Sequence, residues 1–337
     1  MLRDITVSSG PHIGKDLSTR GVMIDVIIGL VPAMLAAGYF FRLHALMLVA
    51  TCVISSVVAE LLCNLIRKKP NSLDDFSAVV TGIILAFSLP PAFPLWAAVI
   101  GSVFAIAIGK MVFGGLGANV FNPAMAGRAF LTACFGMMMT TWTVPATIDS
   151  AMPKISADNT IDVRTQATPL AFSKEAQKKD AGAAEVNQQL KAAFTGSVGG
   201  CLGETSAFAL LIGGIYLLIR RTISFHIPLA VILSAFVFGS IAYLINPDAY
   251  ASPFMYLCSG GLLIGAIFIA TDPVTAPLTC RGMWLFGIGV GSITMLIRIV
   301  GEYPEGVMYS VLLMNAVTPL IDRLFKRIPA GGKPRAN

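Results

Sequence analysis

Apolar residues along this chain come in blocks of membrane length, divided by short polar breaks. An apolar helix needs about 20 residues to cross the hydrocarbon of a bilayer. The blocks fall at 21–41, 43–66, 76–89, 94–110, 121–139, 203–219, 226–245, 254–271, 284–300 and 305–325, and predict about ten transmembrane helices. The third is short and stops at Pro90-Pro91, the mark of a broken helix. A polar insert, Thr140 to Cys201, separates the first five blocks from the last five. The pattern therefore predicts an all-α integral membrane protein. It has a five-helix half at 1–139, an extracytoplasmic insert at 140–201 and a second five-helix half at 202–337. Five crossings send the second half in with the opposite orientation, so the expected architecture is a 5+5 inverted repeat. Gly82 to Pro90 and Gly261 to Pro273 fit that expectation, each an apolar run closed by proline. Proline-broken segments at matching places in two such halves point to a central binding site.

Charge then chooses the sides. With both termini inside, the inner segments hold Arg3, Lys15, Arg20, Arg67, Lys68, Lys69, Lys110, Arg220, Arg221, Arg281, Arg323 and Lys326, among others. The short outer loops hold only Arg42. This is the positive-inside pattern, and it puts the termini in the cytoplasm and the insert outside. The insert balances six basic against six acidic residues, and long loops cross largely regardless of charge. Charged residues make up 12% of the chain, about half the ~25% of a soluble domain. The net charge of +6 is read as these topogenic loop charges. No basic stripe with interleaved aromatics appears, so the expected surroundings are membrane lipid and not nucleic acid. Residues 1–21 lack an apolar h-region, so the first block is read as a retained helix and not a cleaved signal. The six cysteines include no C-x-x-C pair and the three histidines are scattered, so no metal site is expected.

Several motifs carry candidate chemistry. In the insert, Asp162-Val163-Arg164-Thr165-Gln166-Ala167-Thr168 fits D-x-x-T-x-A-T, the acceptor pattern on which a flavin transferase esterifies FMN to the last threonine. A phosphoester on Thr168 fixes a flavin without relying on affinity, which suits an electron relay. A solvated turn at Thr168-Pro169 is the plain alternative. Before the fifth block, Phe113-Gly114-Gly115-Leu116-Gly117-Ala118-Asn119-Val120-Phe121-Asn122-Pro123 combines flexible backbone with two amides. Asn119 and Asn122 offer donors and acceptors that match the edge of a flavin ring; asparagine caps in a tight loop explain them equally. Arg128 sits one turn into an apolar helix and needs protein, water or an anion beside it, a flavin or Asp272 included. Thr271-Asp272-Pro273 ends the eighth block with a hydroxyl and a carboxylate, fit for a cation or a ring nitrogen, or simply a capped turn. Asp25, Glu60, Arg298 and Asp322 could each serve ion movement, and interfacial anchoring explains them as well or better.

These residues together resemble the RnfD/NqrB family, and in particular the RnfD subunits of Rnf electron-transport complexes. The resemblance runs nearly end to end. It rests on the F-G-G-L-G-x-N-x-F-N-P-A-M loop (113–125), T-Q-A-T-P-L (165–170), F-H-I-P-L (225–229), T-D-P-V-T-A (271–276) and the closing G-x-Y-P-E-G-V…L-L-M-N…P-L-I-D (301–322). It implies a bacterial inner-membrane subunit with FMN on Thr168 outside and noncovalent riboflavin near Asn119 and Asn122 on the cytoplasmic side. It implies a relay coupled to sodium or proton movement, and an enzyme only as part of a translocase. The implied partners are an extracytoplasmic FMN subunit, iron–sulfur membrane subunits and the flavin transferase. Thr165 stands where many relatives carry serine, Arg164 where small residues are common, and the insert is short for the family. Two rivals stand beside this expectation: the equivalent subunit of a sodium-translocating NADH:quinone reductase, and a solute channel of the urea-transporter kind.

Overall fold

The computed structural model describes residues 18–68, 72–142, 168–179, 182–196, 199–204, 206–301 and 305–326. Among them every regular element is helical. Helix α1, Thr19–Ile66, opens on Ser18, whose hydroxyl accepts from Gly21 N. It is two helices joined at Arg42, which takes φ 60° and ψ −148°. That break falls between the first two apolar blocks. Helix α2, Ser77–Phe87, is buried at every residue but Val79. A Cβ on Gly82 would lie 2.7 Å from Val53 Cα, so glycine is what lets α2 touch the backbone of α1. Helix α3, Leu95–Ile106, winds into a π-turn, Ala107–Met111. Helix α4, Pro123–Cys134, starts with Pro123 at its first position and the Asn122 side chain accepting from Met125 N.

Helix α5, Pro169–Lys179, lies in the insert. Helices α6, Ala207–Ile219, and α7, His226–Ile245, follow. The block at 254–271 does not form the single helix its hydropathy predicts. It is helix α8, Pro253–Cys258, then a break, a turn at Leu262–Ile264 and a second π-turn, Gly265–Ile269. The break sits at Gly260, with φ 68°, a conformation that favours glycine. Helices α9, Cys280–Ile299, and α10, Val307–Leu324, are the last among the described residues.

Helices α1, α7, α9 and α10 are long and apolar enough to span a membrane; α2, α3 with its π-turn, and α6 are shorter apolar helices. Helix α1 packs on α2, α3 and α6, while α7 packs on α9, and α9 on α10. Large apolar side chains such as Leu35, Leu65, Leu244 and Val300 point outward. An apolar exterior of this kind is what lipid, and not water, tolerates.

Candidate functional site

Polar side chains gather where the short helices end. Lys110, in the first π-turn, is 1% exposed, and its ammonium donates to Glu60 Oε2 at 2.7 Å and Ser77 Oγ at 2.6 Å. Ser77 Oγ donates to Asp75 Oδ1 at 2.5 Å. On the far side, Ser72 Oγ donates to Glu60 Oε1 at 2.5 Å and accepts from Asn64 Nδ2 at 2.9 Å. Lys110 is therefore a buried ion-pair partner, not the cytoplasmic loop charge its position suggested. Glu60 is likewise no interfacial anchor. Breaking such a pair by removing one member leaves an uncompensated buried charge, at a cost of about 3–5 kcal/mol.

Lys110 and Ser77 form one wall of a cleft. Asn119, Asn122, Thr271 and Asp272 line it too, with apolar walls from Val80, Ile84, Leu217 and Phe268. Four of the six residues singled out as cofactor contacts thus meet in one place, although about 150 positions separate the two asparagines from Thr271 and Asp272. Asn119 Nδ2 donates to Phe121 O at 3.1 Å, while its Oδ1 is buried without a partner among the described residues. Asn122 is a helix cap, and its backbone N–H reaches the side-chain oxygen of Asn315 on α10 at 3.0 Å. Gly114, Gly115 and Gly117 all take positive φ, so they are needed to turn the loop that carries Asn119. Asp272 accepts from Val274 N and Thr275 Oγ1, each at 3.2 Å, and Thr271 Oγ1 donates to Ile267 O at 2.6 Å. Near the same end, Asp25 holds Thr222, Tyr216 and Arg220.

Thr168 lies apart from this cleft. Residues 162–167 of the acceptor motif are outside the described residues. Thr168 itself is 5% exposed and starts α5: its Oγ1 accepts from Ala171 N at 3.1 Å and its carbonyl from Phe172 N at 2.9 Å. Helix α5 is docked on the bundle. Tyr256 OH accepts from Gln177 Nε2 at 3.0 Å and shares a 3.1 Å hydrogen bond with Ser173 Oγ. Lys174 Nζ donates to Gly301 O at 2.6 Å and Ile299 O at 3.3 Å, at the C-terminus of α9. Burial, with Lys178 adding to it, pulls the Lys174 ammonium below the ordinary lysine range.

Arg128 does not line the cleft and does not pair with Asp272. It forms an ion pair with Glu305, just before α10, and donates to Cys201 Sγ at 3.5 Å. Glu204 is buried close by, accepting from Cys201 N at 3.2 Å. Arg298, expected as an outer anchor, is 1% exposed and donates to Tyr256 O at 2.7 Å and Ser259 O at 3.2 Å. Lys110, Glu204 and Glu305 were missed, and so were the buried partners of Glu60 and Arg298. The available signal was an ionisable residue within or at the end of an apolar block, which by default marks function.

The model of the NQR2, RnfD, RnfE family matches residues 6–331. A subunit of the Na(+)-translocating ferredoxin:NAD(+) oxidoreductase complex of Acetobacterium woodii is 48% identical, over 96% of this chain and 94% of that protein. The corresponding subunit of the proton-translocating ferredoxin:NAD(+) oxidoreductase complex of Clostridium ljungdahlii is 41% identical, over 97% and 96%. That of the ion-translocating oxidoreductase complex of Yersinia enterocolitica is 37% identical, over 94% and 95%.

Proposed function

The chain belongs to the NQR2, RnfD, RnfE family, and from that premise we propose that it is the flavin-carrying membrane subunit of an ion-translocating ferredoxin:NAD oxidoreductase. It holds FMN through a phosphoester on Thr168 and riboflavin, without a covalent bond, in the cleft at Asn119 and Asn122. The observation that carries this reading is the convergence of Asn119, Asn122, Thr271 and Asp272 on one cleft.

The residue types suit both groups. The cleft has apolar walls for a flat ring and a polar edge, where the unpartnered Asn119 Oδ1 would accept from a ring N–H. Thr168 caps an 11-residue helix, so a phosphate on that hydroxyl would sit at the positive end of the helix. When bound, the flavins supply electron-carrying chemistry. The protein holds Thr168 in place through Ser173, Lys174 and Gln177, and sets the polar edge of the cleft.

The subunit is not catalytic alone. It works with an extracytoplasmic FMN subunit and iron–sulfur membrane subunits, and a flavin transferase matures it. It crosses the bacterial inner membrane about ten times, with cytoplasmic termini and Thr168 outside. In-gel flavin fluorescence after denaturation tests the reading. Wild-type chain made with its transferase gives a fluorescent band and Thr168→Ala a dark one. A dark wild-type band defeats the proposal.

A further inference from the structure

We propose that helix α10 is the clamp that sets the polar edge of the cleft, and that Asn315 and Thr318 are positioning residues for the ring the cleft takes. The part concerning the ring rests on the flavin reading; the clamp itself does not. Two loops carry that edge. Residues 113–122 bring Asn119 and Asn122 from the first half of the chain, and residues 271–278 bring Thr271 and Asp272 from the second. Helix α10 holds the backbone of both. The side-chain oxygen of Asn315 accepts from Asn122 N at 3.0 Å, while its amide nitrogen donates to Val311 O at 3.3 Å. The Thr318 hydroxyl reaches Thr275 O at 3.1 Å, sharing its hydrogen with Met314 O at 3.0 Å. Near the end of the helix, Asp322 Oδ1 accepts from Leu278 N at 3.1 Å. These three residues stand three and four positions apart, so they form one stripe along α10. The residues lining the cleft include none of them.

The loops explain why a tether matters. Gly114, Gly115 and Gly117 give the first loop its turn and also its freedom, since glycine loses the most conformational entropy on ordering. Asn315 is 1% exposed and Asn122 4%, so losing the Asn315 oxygen strands a buried N–H. In the second loop the contacts run inward. Thr318 fixes Thr275, the Thr275 hydroxyl donates to Asp272 Oδ2 at 3.2 Å, and Asp272 lines the cleft. A ring seated there must meet Asn119 and Asp272 at one separation, because hydrogen bonds weaken steeply away from their preferred geometry. Those two groups lie on different loops, and α10 hydrogen-bonds to both loops.

The test is made on the intact complex with Asn315→Leu and Thr318→Val, each close in shape to the residue it replaces and unable to make the bond. Riboflavin released on dilution is quantified by chromatography. Amide exchange is followed at 113–122 and 271–278 in complex stripped of noncovalent flavin. Each variant should raise the dissociation constant for riboflavin about tenfold, the order of one lost hydrogen bond. Each should also quicken exchange in the loop it holds. Thr318→Ser keeps the hydroxyl and should behave as wild type. Thr294→Val removes a buried 2.7 Å hydrogen bond to Ser310 on the same helix, outside the cleft, and should change neither readout. The covalent FMN band should persist in every variant, which separates a loosened cleft from a lost fold. Wild-type affinity in Asn315→Leu and Thr318→Val, in a complex that holds riboflavin, overturns the positioning role. So does a Thr294→Val effect as large as theirs. Unchanged exchange in either loop overturns the clamp. A wild-type complex without riboflavin defeats the flavin reading, and the exchange measurement still decides the clamp.

Discussion

Lys110 and Glu60 are 50 positions apart and meet with almost no exposure, which makes them the most consequential pair at the scale of single residues. Lys110→Met alone should lower stability by about 3–5 kcal/mol, because Glu60 is left buried and unpaired. Lys110→Met with Glu60→Leu should recover most of that loss. Thermal unfolding of the solubilised protein checks both, and a mild single variant contradicts the account. At the cleft, Asn119→Ala should release the noncovalent flavin and leave the covalent one, as chromatography of extracted flavin reads. The asparagines, Thr271 and Asp272 were legible because each lies in a compact local motif. The Lys110 pair was not, since nothing across a separation of 50 positions says which carboxylate a membrane lysine will meet.

Between residue and bundle stands α5, which carries Thr168 at its start. Its docking runs through Tyr256 and through the carbonyls of Ile299 and Gly301, at and just past the end of α9. Tyr256→Phe removes two hydrogen bonds worth about 0.5–1.5 kcal/mol each. Amide exchange across 169–179 should quicken while α9 keeps its protection. Equal exchange in both would show that the tyrosine hydroxyl does not hold the helix. Hydropathy located most helices to within a few residues, Arg42 and the stop after α2 included. It failed at 254–271, where the residues are apolar throughout but Gly260 turns the backbone out of helix. Periodicity reports what a side chain faces, not the φ its backbone takes. The same limit hid the π-turn that aims Lys110 inward.

For the whole molecule, lipid is the solvent, and the apolar exterior and buried charge clusters follow from that. The proposed sidedness rests on the loop charges. In intact spheroplasts with the native cysteines replaced, an impermeant maleimide should label Lys154→Cys directly. It should label Lys326→Cys only after the membrane is opened; the reverse order would invert the topology. The central claim is narrower: one hydroxyl, Thr168, carries a flavin. Mass spectrometry of the natively matured chain tests it most directly. The peptide spanning residues 162–179 should be heavier by one FMN less one water, with fragmentation placing the addition on Thr168. A peptide at its unmodified mass, in protein made with an active transferase, would contradict the account.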